Sequence, residues 1–193
     1  MHDLYRNARC HGQEGFTLVE LMIAIGVIAI LAAIAVPGVI SWLPNYRVKA
    51  AASDMISNFQ KAKMEAVKRN TDVIIAFTAA NATQTGSYRI FVDNNPGNGA
   101  FDAGERVLVD HKPMPKDVSL YFANFSGATN TGFNSRALPW NNRWGSVRFR
   151  NSKLTRYYRA SLSAAGHVRL QTSSDGLNHY LLKAGRFLIR LKV

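Results

Sequence analysis

Cysteine is almost absent from this chain of 193 residues, because Cys10 is its only one. A single thiol cannot form an intrachain disulfide, and it excludes a zinc site built on several cysteines. The sequence also has no glycine-rich phosphate loop and no grouping of Ser, His and acid that indicates a catalytic triad. The five histidines lack metal-ligand spacing with one another or with Cys10: His2, His11, His111, His167 and His179. We therefore expect no metal, no other cofactor and no enzymatic activity.

Acidic residues are scarce in the last quarter of the chain. Between residues 147 and 193, Asp175 is the one acid beside ten lysines and arginines, so about +9 of the formal net charge of +12 lies there. A segment this basic indicates a polyanionic partner, either nucleic acid or anionic lipid. The alternative is that the charge only keeps a solvated surface soluble.

Charge is nearly absent from residues 16–40, where Glu20 is the one charged residue. As a helix these 25 residues measure about 37 Å, which is enough to cross a bilayer. The apolar core of a cleaved secretory signal is shorter, so we expect a retained membrane helix over residues 16–42. A carboxylate in such a helix costs roughly 3 kcal/mol on insertion scales. Glu20 therefore has a partner, or else it lies at the headgroup boundary.

The junction Gly15-Phe16-Thr17-Leu18-Val19-Glu20-Leu21 resembles the processing signature of type IV pilins and type II secretion pseudopilins. The resemblance implies that prepilin peptidase removes residues 1–15 as a leader, cutting between Gly15 and Phe16, and that Phe16 is then methylated. It also implies that Glu20 pairs with the α-amine of a neighbouring pilin or pseudopilin subunit. The protein would be a single-pass inner-membrane protein with its C-terminal domain in the periplasm, incorporated in a pilus or pseudopilus.

The remaining sequence predicts an α+β fold, in which one long helix packs on antiparallel β-sheets. Pro37 and Pro44 predict a bend, after which an amphipathic helix continues over residues 43–70. The residues expected on its buried face are spaced by three and four: Val48, Ala52, Met55, Phe59, Ala62 and Ala66. Strands are predicted in the β domain of residues 71–193, at 73–77, 88–92, 106–109, 118–122, 147–150, 160–162, 168–171, 180–182 and 187–193.

Two connecting segments each allow two interpretations. Residues 124–146 predict a long loop, and its aromatic residues are either anchors to the domain or stacking platforms for single-stranded bases: Phe125, Phe133, Trp140 and Trp144. Residues 93–105 are similar to a calcium loop at Asn98, Gly99, Asp102 and Glu105. The early part of that spacing is out of register by one residue, with Pro96 in a ligand position, so we favour a hairpin turn.

A second resemblance covers the C-terminal half. Gly132-Phe133-Asn134-Ser135-Arg136, Gly145-Ser146-Val147 and residues 161–169 are similar to minor pseudopilins of the GspH/FimT type. Some of these proteins bind DNA through a Gly-Arg-x-Arg turn, and the matching turn here is Gly166-His167-Val168-Arg169, with His167 in place of the first arginine. A largely neutral histidine weakens a phosphate contact.

The resemblances thus imply a minor pseudopilin or minor pilin. The alternative is a DNA-binding minor pilin for DNA uptake in natural transformation. Its candidate DNA-binding residues are Arg156, Arg159, His167, Arg169, Arg186 and Arg190.

Overall fold

The computed structural model describes residues 15–94, 97–174 and 181–182, the last two by their backbone only. The chain divides into two compact units, Met1–Ser41 and Trp42–Val193. One α-helix, α1, runs over Leu18–Arg69 and continues through Pro37 and Pro44 without an interruption. Among the described residues, α1 is the one helix long and apolar enough to span a membrane.

Local signals define both ends of α1. At its start the Thr17 hydroxyl oxygen accepts a hydrogen bond from the backbone N–H of Glu20 at 3.2 Å. Thr17 is thus the N-cap and Glu20 stands three residues later, which is the sequence pattern of a capping box. At the other end Lys68 and Arg69 occupy the last turn, and Asn70 adopts a positive φ of 50° that ends the helix.

The C-terminal part of α1 supplies the core of the second unit. All six residues predicted for its buried face have no exposed surface: Val48, Ala52, Met55, Phe59, Ala62 and Ala66. The ring of Phe59 lies 6.3 Å from the rings of Phe77, Phe125 and Phe133. These three rings belong to strands of two different sheets, so Phe59 connects α1 to both of them.

The β domain consists of two antiparallel sheets. The first has the order β3-β2-β1-β5 and contains β1 (Asp72–Thr78), β2 (Ser87–Asp93), β3 (Val107–Pro113) and β5 (Asn130–Phe133). The second has the order β4-β6-β7-β8-β9 and contains β4 (Val118–Phe125), β6 (Gly145–Asn151), β7 (Tyr157–Leu162), β8 (Val168–Ser173) and β9 (Leu181–Leu182). The predicted α+β fold is confirmed, while the strand predicted at 187–193 lies outside the described residues.

The prediction of one long loop over residues 124–146 is wrong in part. Strand β5 lies inside it and pairs with β1, and a single 3-10 turn follows at Trp140–Asn142. A Cβ on Gly132 of β5 would stand 2.2 Å from the backbone oxygen of Val73, so only glycine allows the two strands to approach this closely. The sequence Asn-Thr-Gly-Phe has little β-branched character, and for this reason its pattern does not predict a strand.

Candidate functional site

Along the strands of the second sheet, successive side chains alternate between a buried face and an outward face. Val147, Phe149, Ala160 and Leu162 point into the core. Their neighbours along β6, β7 and β8 therefore point outward, and the strand register aligns them in rows. One row reads Phe122, Arg148, Arg159 and Gln171, and the next reads Asn124, Ser146, Ser161 and Arg169.

These two rows form the floor of a groove of about 520 Å³. We call it the basic groove and define it by its four basic and two aromatic lining residues: Arg148, Arg159, His167, Arg169, Phe122 and Trp144. The remaining lining residues within the described part of the chain are Ser, Asn, Gln, Gly and Leu, and none is a carboxylate. The groove therefore concentrates positive charge and hydrogen-bond donors on the outward face of the sheet.

A β-bulge adds aromatic surface beside this groove. The register of β4 against β6 shifts between Leu120 and Phe122, so Tyr121 is an extra residue in its strand. The guanidinium carbon of Arg148 lies 4.5 Å from the centre of the Phe122 ring, and that of Arg150 lies 5.1 Å from the Tyr121 ring. Two arginines of β6 thus lie over the aromatic rings of β4, which holds their long side chains in place.

The turn between β7 and β8, which contains Ala164, Ala165 and Gly166, forms one end of the basic groove. Its glycine has a φ of +73°, and a Cβ on Gly166 would stand 2.5 Å from the backbone oxygen of Ala137. The ammonium of Lys63 on α1 donates to the Gly166 oxygen at 3.0 Å, and the N–H of His167 donates to the Ser163 hydroxyl at 3.1 Å. The turn is thus fixed to the helix and to a neighbouring loop.

The structure brings some of the predicted DNA-binding residues together. Arg159, His167 and Arg169 line the basic groove. Arg156 is exposed and precedes β7, and it is not among the residues that line the groove. Arg186 and Arg190 lie outside the described residues.

Sequence reasoning did not nominate Arg148, which is the direct cross-strand partner of Arg159. The alternation of Ser146, Arg148 and Arg150 is visible in the sequence and marks a polar strand face. Recognising that this face adjoins Arg159 requires the pairing of β6 with β7, which the sequence pattern alone does not specify.

The aromatic residues of segment 124–146 divide between the two interpretations. Phe125, Phe133 and Trp140 are buried, so they are anchors. Trp144 is 51% exposed and lines the basic groove. Of the four, only Trp144 therefore presents a ring surface to a ligand.

The segment 93–105 is the connection between β2 and β3, as favoured from the sequence. Its carboxylates bind the chain's own donors: Glu105 accepts from the backbone N–H groups of Asn94 and Asp102, each at 3.0 Å, and Asp93 accepts from the N–H of Gly99 at 3.0 Å. Among the described residues, no group of three His, Cys, Asp or Glu could hold a metal ion. The hydrogen bonds to backbone N–H groups give the carboxylates of Asp93 and Glu105 a structural role in this connection.

The N-terminal candidates lie in the first unit. Gly15 and Phe16 precede α1, and the Phe16 side chain is 84% exposed. Glu20 is exposed in the first turn of the helix, where the positive end of the helix dipole favours a carboxylate. The capping pattern with Thr17 is a second reason for a glutamate here, and sequence reasoning missed it although the Thr-x-x-Glu spacing is visible.

The apolar side chains in the N-terminal segment of α1 are exposed, and the C-terminal part of the same helix packs against two antiparallel sheets. This arrangement defines a pilin-like class of protein. The family model described as "Type II transport protein GspH" matches residues 51–166, and that of the prokaryotic N-terminal methylation motif matches residues 10–36. The chain belongs to the GspH family of pilin-like proteins.

Comparison with characterised proteins gives relatives of the same kind. The chain is 53% identical over 47 residues to prepilin peptidase-dependent protein D of Escherichia coli, which covers 24% of this chain and 30% of that protein. It is 32% identical over 100 residues to the pilin-like protein PilA1 of Thermus thermophilus, covering 51% of this chain and 60% of that one. The matches thus span less than two thirds of the length of either relative. The crystal structure of the type IV minor pilin FimU of Pseudomonas aeruginosa aligns with a TM-score of 0.47 and 16% identity, covering 65% of this chain and 89% of that one.

Proposed function

We propose that this protein is a minor pseudopilin or minor pilin, a structural subunit of a type II secretion pseudopilus or a type IV pilus. The observation that carries the proposal is the exposure of the apolar side chains over residues 16–40 in the first unit, including Phe16, Leu18, Leu21 and Ile34. An apolar surface of this extent requires cover. The inner membrane covers it before assembly, and the helices of other subunits cover it in the filament.

Processing converts the membrane precursor into the subunit that assembles. We propose that prepilin peptidase cuts between Gly15 and Phe16 and methylates the new amine of Phe16. The match of residues 10–36 to the N-terminal methylation motif supports this step. Before this cut the leader of residues 1–15 faces the cytoplasm. Residues 16–42 span the membrane, residues 43–70 continue the helix, and the β domain of residues 71–193 lies in the periplasm.

Intact-mass spectrometry of the membrane-extracted protein tests the processing step. The expected mass starts at Phe16 and includes one added methyl group. The control is the same protein from cells without the peptidase, which should retain residues 1–15. A mature protein that retains its leader in the presence of active peptidase would contradict the proposal.

The type of filament is decided by which apparatus depends on the subunit. Deletion of the gene should abolish either protein secretion or surface pili. Complementation with the wild-type chain should restore the function that was lost. Mass spectrometry of the sheared or purified filament should then detect the chain at low abundance relative to the major subunit. Its absence from both filaments would remove the structural role.

DNA binding for uptake in natural transformation is a second candidate function, and the basic groove favours it. Three arginines and His167 line a concave surface that contains no carboxylate among its described residues. Phosphate contacts release counterions, so affinity should fall with a log–log salt slope of roughly −0.7 to −0.9 per neutralised phosphate.

The test of this candidate compares two exposed arginines. Arg169→Ala removes a residue of the groove, whereas Arg156→Ala removes an arginine outside it. Binding of DNA to the full chain in non-ionic detergent should weaken with Arg169→Ala and remain unchanged with Arg156→Ala. Equal losses would indicate a diffuse basic surface, and the groove would then have no specific role.

A further inference from the structure

Trp144 is held in an outward position by the backbone around it. The backbone N–H of Trp144 donates to the backbone oxygen of Asn142 at 3.2 Å, and the backbone oxygen of Trp144 accepts from the Ser126 hydroxyl at 3.2 Å. Four residues earlier, the buried ring of Trp140 fixes the segment to the domain, with the Arg143 guanidinium 4.7 Å from its centre. The chain therefore buries one indole and presents the next one at the basic groove.

We propose that the basic groove binds single-stranded nucleic acid, with one base stacked on Trp144 and the adjacent phosphates on Arg148, Arg159 and Arg169. This inference rests on the second candidate function and specifies its ligand. Sequence-tolerant binding of single strands combines a positively charged groove with aromatic rings on which bases stack. The rows of β6, β7 and β8 supply the charge, and the segment before β6 supplies the ring.

The shape and the composition of the groove favour a single strand over other polyanions. Its volume of about 520 Å³ is in the range of a pocket that accommodates one nucleotide unit. The bases of a duplex are stacked on one another, so they offer no face to Trp144. A sulfated or carboxylated polysaccharide could contact the arginines, but it has no base to stack on the indole.

Two oligonucleotides with the same number of phosphates separate stacking from charge. One is a short oligothymidylate and the other is an abasic strand of equal length, each labelled with a fluorophore and titrated against the full chain in non-ionic detergent. Wild-type protein should bind the oligothymidylate more tightly. Trp144→Ala should weaken that binding about 5- to 150-fold, as expected from the loss of one stacked base, and it should leave the abasic affinity unchanged.

Further variants distinguish a stacking role from a structural one. Trp144→Phe keeps an aromatic face, so it should retain most of the difference between the two oligonucleotides, and it should abolish any quenching of indole fluorescence that the ligand causes. Leu138→Ala, at another exposed apolar residue of segment 124–146, is the matched control and should change neither affinity. The denaturation midpoint of each variant establishes that it is folded.

The outcomes separate this inference from the functions on which it rests. Equal affinity for the two oligonucleotides, or an equal effect of Trp144→Ala on both, would overturn the single-strand inference. If Arg169→Ala then weakens duplex and single strand alike, the DNA-binding candidate is still supported. Absence of binding to every probe at low salt would overturn both, whereas the filament-subunit proposal is judged separately by the mass of the processed chain.

Discussion

The hydroxyl of Tyr88 on β2 donates a hydrogen bond to Oδ2 of Asp54 on α1 at 3.2 Å. The same hydroxyl accepts from Nδ2 of the buried Asn58 at 2.8 Å, and Lys112 on β3 forms an ion pair with Asp54 at 2.7 Å. This network connects the helix to two strands of the first sheet, and it pairs the polar groups of the buried residues Asn58 and Tyr88.

Removing the hydroxyl should weaken the domain. Tyr88→Phe keeps the ring but leaves Nδ2 of Asn58 without this acceptor, so the free energy of unfolding should fall by about 1–3 kcal/mol. Chemical denaturation of the full chain in detergent measures the change. Tyr46→Phe is the control, because Tyr46 is more than half exposed and should lose little.

The network also predicts a pH dependence of stability. Burial raises the pKa of Tyr88, and the neighbouring carboxylate of Asp54 raises it further. A group whose pKa is higher in the folded state stabilises that state below its unfolded pKa, which is about 10 for tyrosine. The unfolding free energy should therefore decline as the pH rises above about 10, and Tyr88→Phe should show a smaller decline than the wild type. If the unfolding free energies of the wild type and of Tyr88→Phe decline equally with pH, Tyr88 is not the group responsible.

The close approach of β5 to β1 predicts a large effect of a single methyl group. Gly132→Ala places a Cβ 2.2 Å from the oxygen of Val73, so the strands must separate and lose pairing. We expect a loss of about 1–3 kcal/mol or more in the free energy of unfolding. Gly38→Ala is the control, because nothing beyond the neighbouring backbone of its own helix lies within 4 Å of the Cβ that it adds.

Glu20 should affect assembly and not the stability of the β domain. Its proposed partner is the amine of Phe16 in a neighbouring subunit, and pairing two charges in an apolar setting removes most of the cost of burying each. Glu20→Ala should accumulate in the membrane with an unchanged denaturation midpoint and be depleted from purified filaments. Thr17→Val is an informative comparison, because it removes the cap and keeps the carboxylate. Normal incorporation of Glu20→Ala would refute the pairing.

Replacement of His167 by arginine should strengthen DNA binding. His167 is exposed and lines the basic groove, and it occupies the first arginine position of the Gly-Arg-x-Arg turn that this segment resembles. His167→Arg adds a permanent charge, so DNA affinity should rise and the log–log salt slope should steepen by roughly 0.7–0.9 for one more phosphate. His111→Arg is the control, since His111 is an exposed histidine on β3 and is not among the residues that line the groove. An equal rise with both variants would attribute the effect to net charge.

Periodic spacing of apolar residues explains which elements could be predicted from the sequence, and its absence explains which could not. The three- and four-residue spacing from Val48 to Ala66 identifies the buried face of α1, because each apolar position of a helix implies the next. Strand β5 has no such signal, since its place beside β1 depends on Gly132 and on the backbone of Val73. The same limit applies to the groove: Arg159 and Arg169 belong to one hairpin, whereas Arg148 joins them through the order of strands in the sheet.

The attachment of Gly166 limits how the β7–β8 turn can vary among homologous chains. The ammonium of Lys63 donates to the carbonyl oxygen of Gly166, and the backbone oxygen of Ala137 leaves no space for a side chain on Gly166. An insertion would move the carbonyl away from Lys63, and a replacement of the glycine would collide with Ala137. His167, by contrast, is exposed. Evolutionary change in this turn is therefore confined to substitution at a fixed length, and ligand preference can diverge at position 167 while the backbone stays constant.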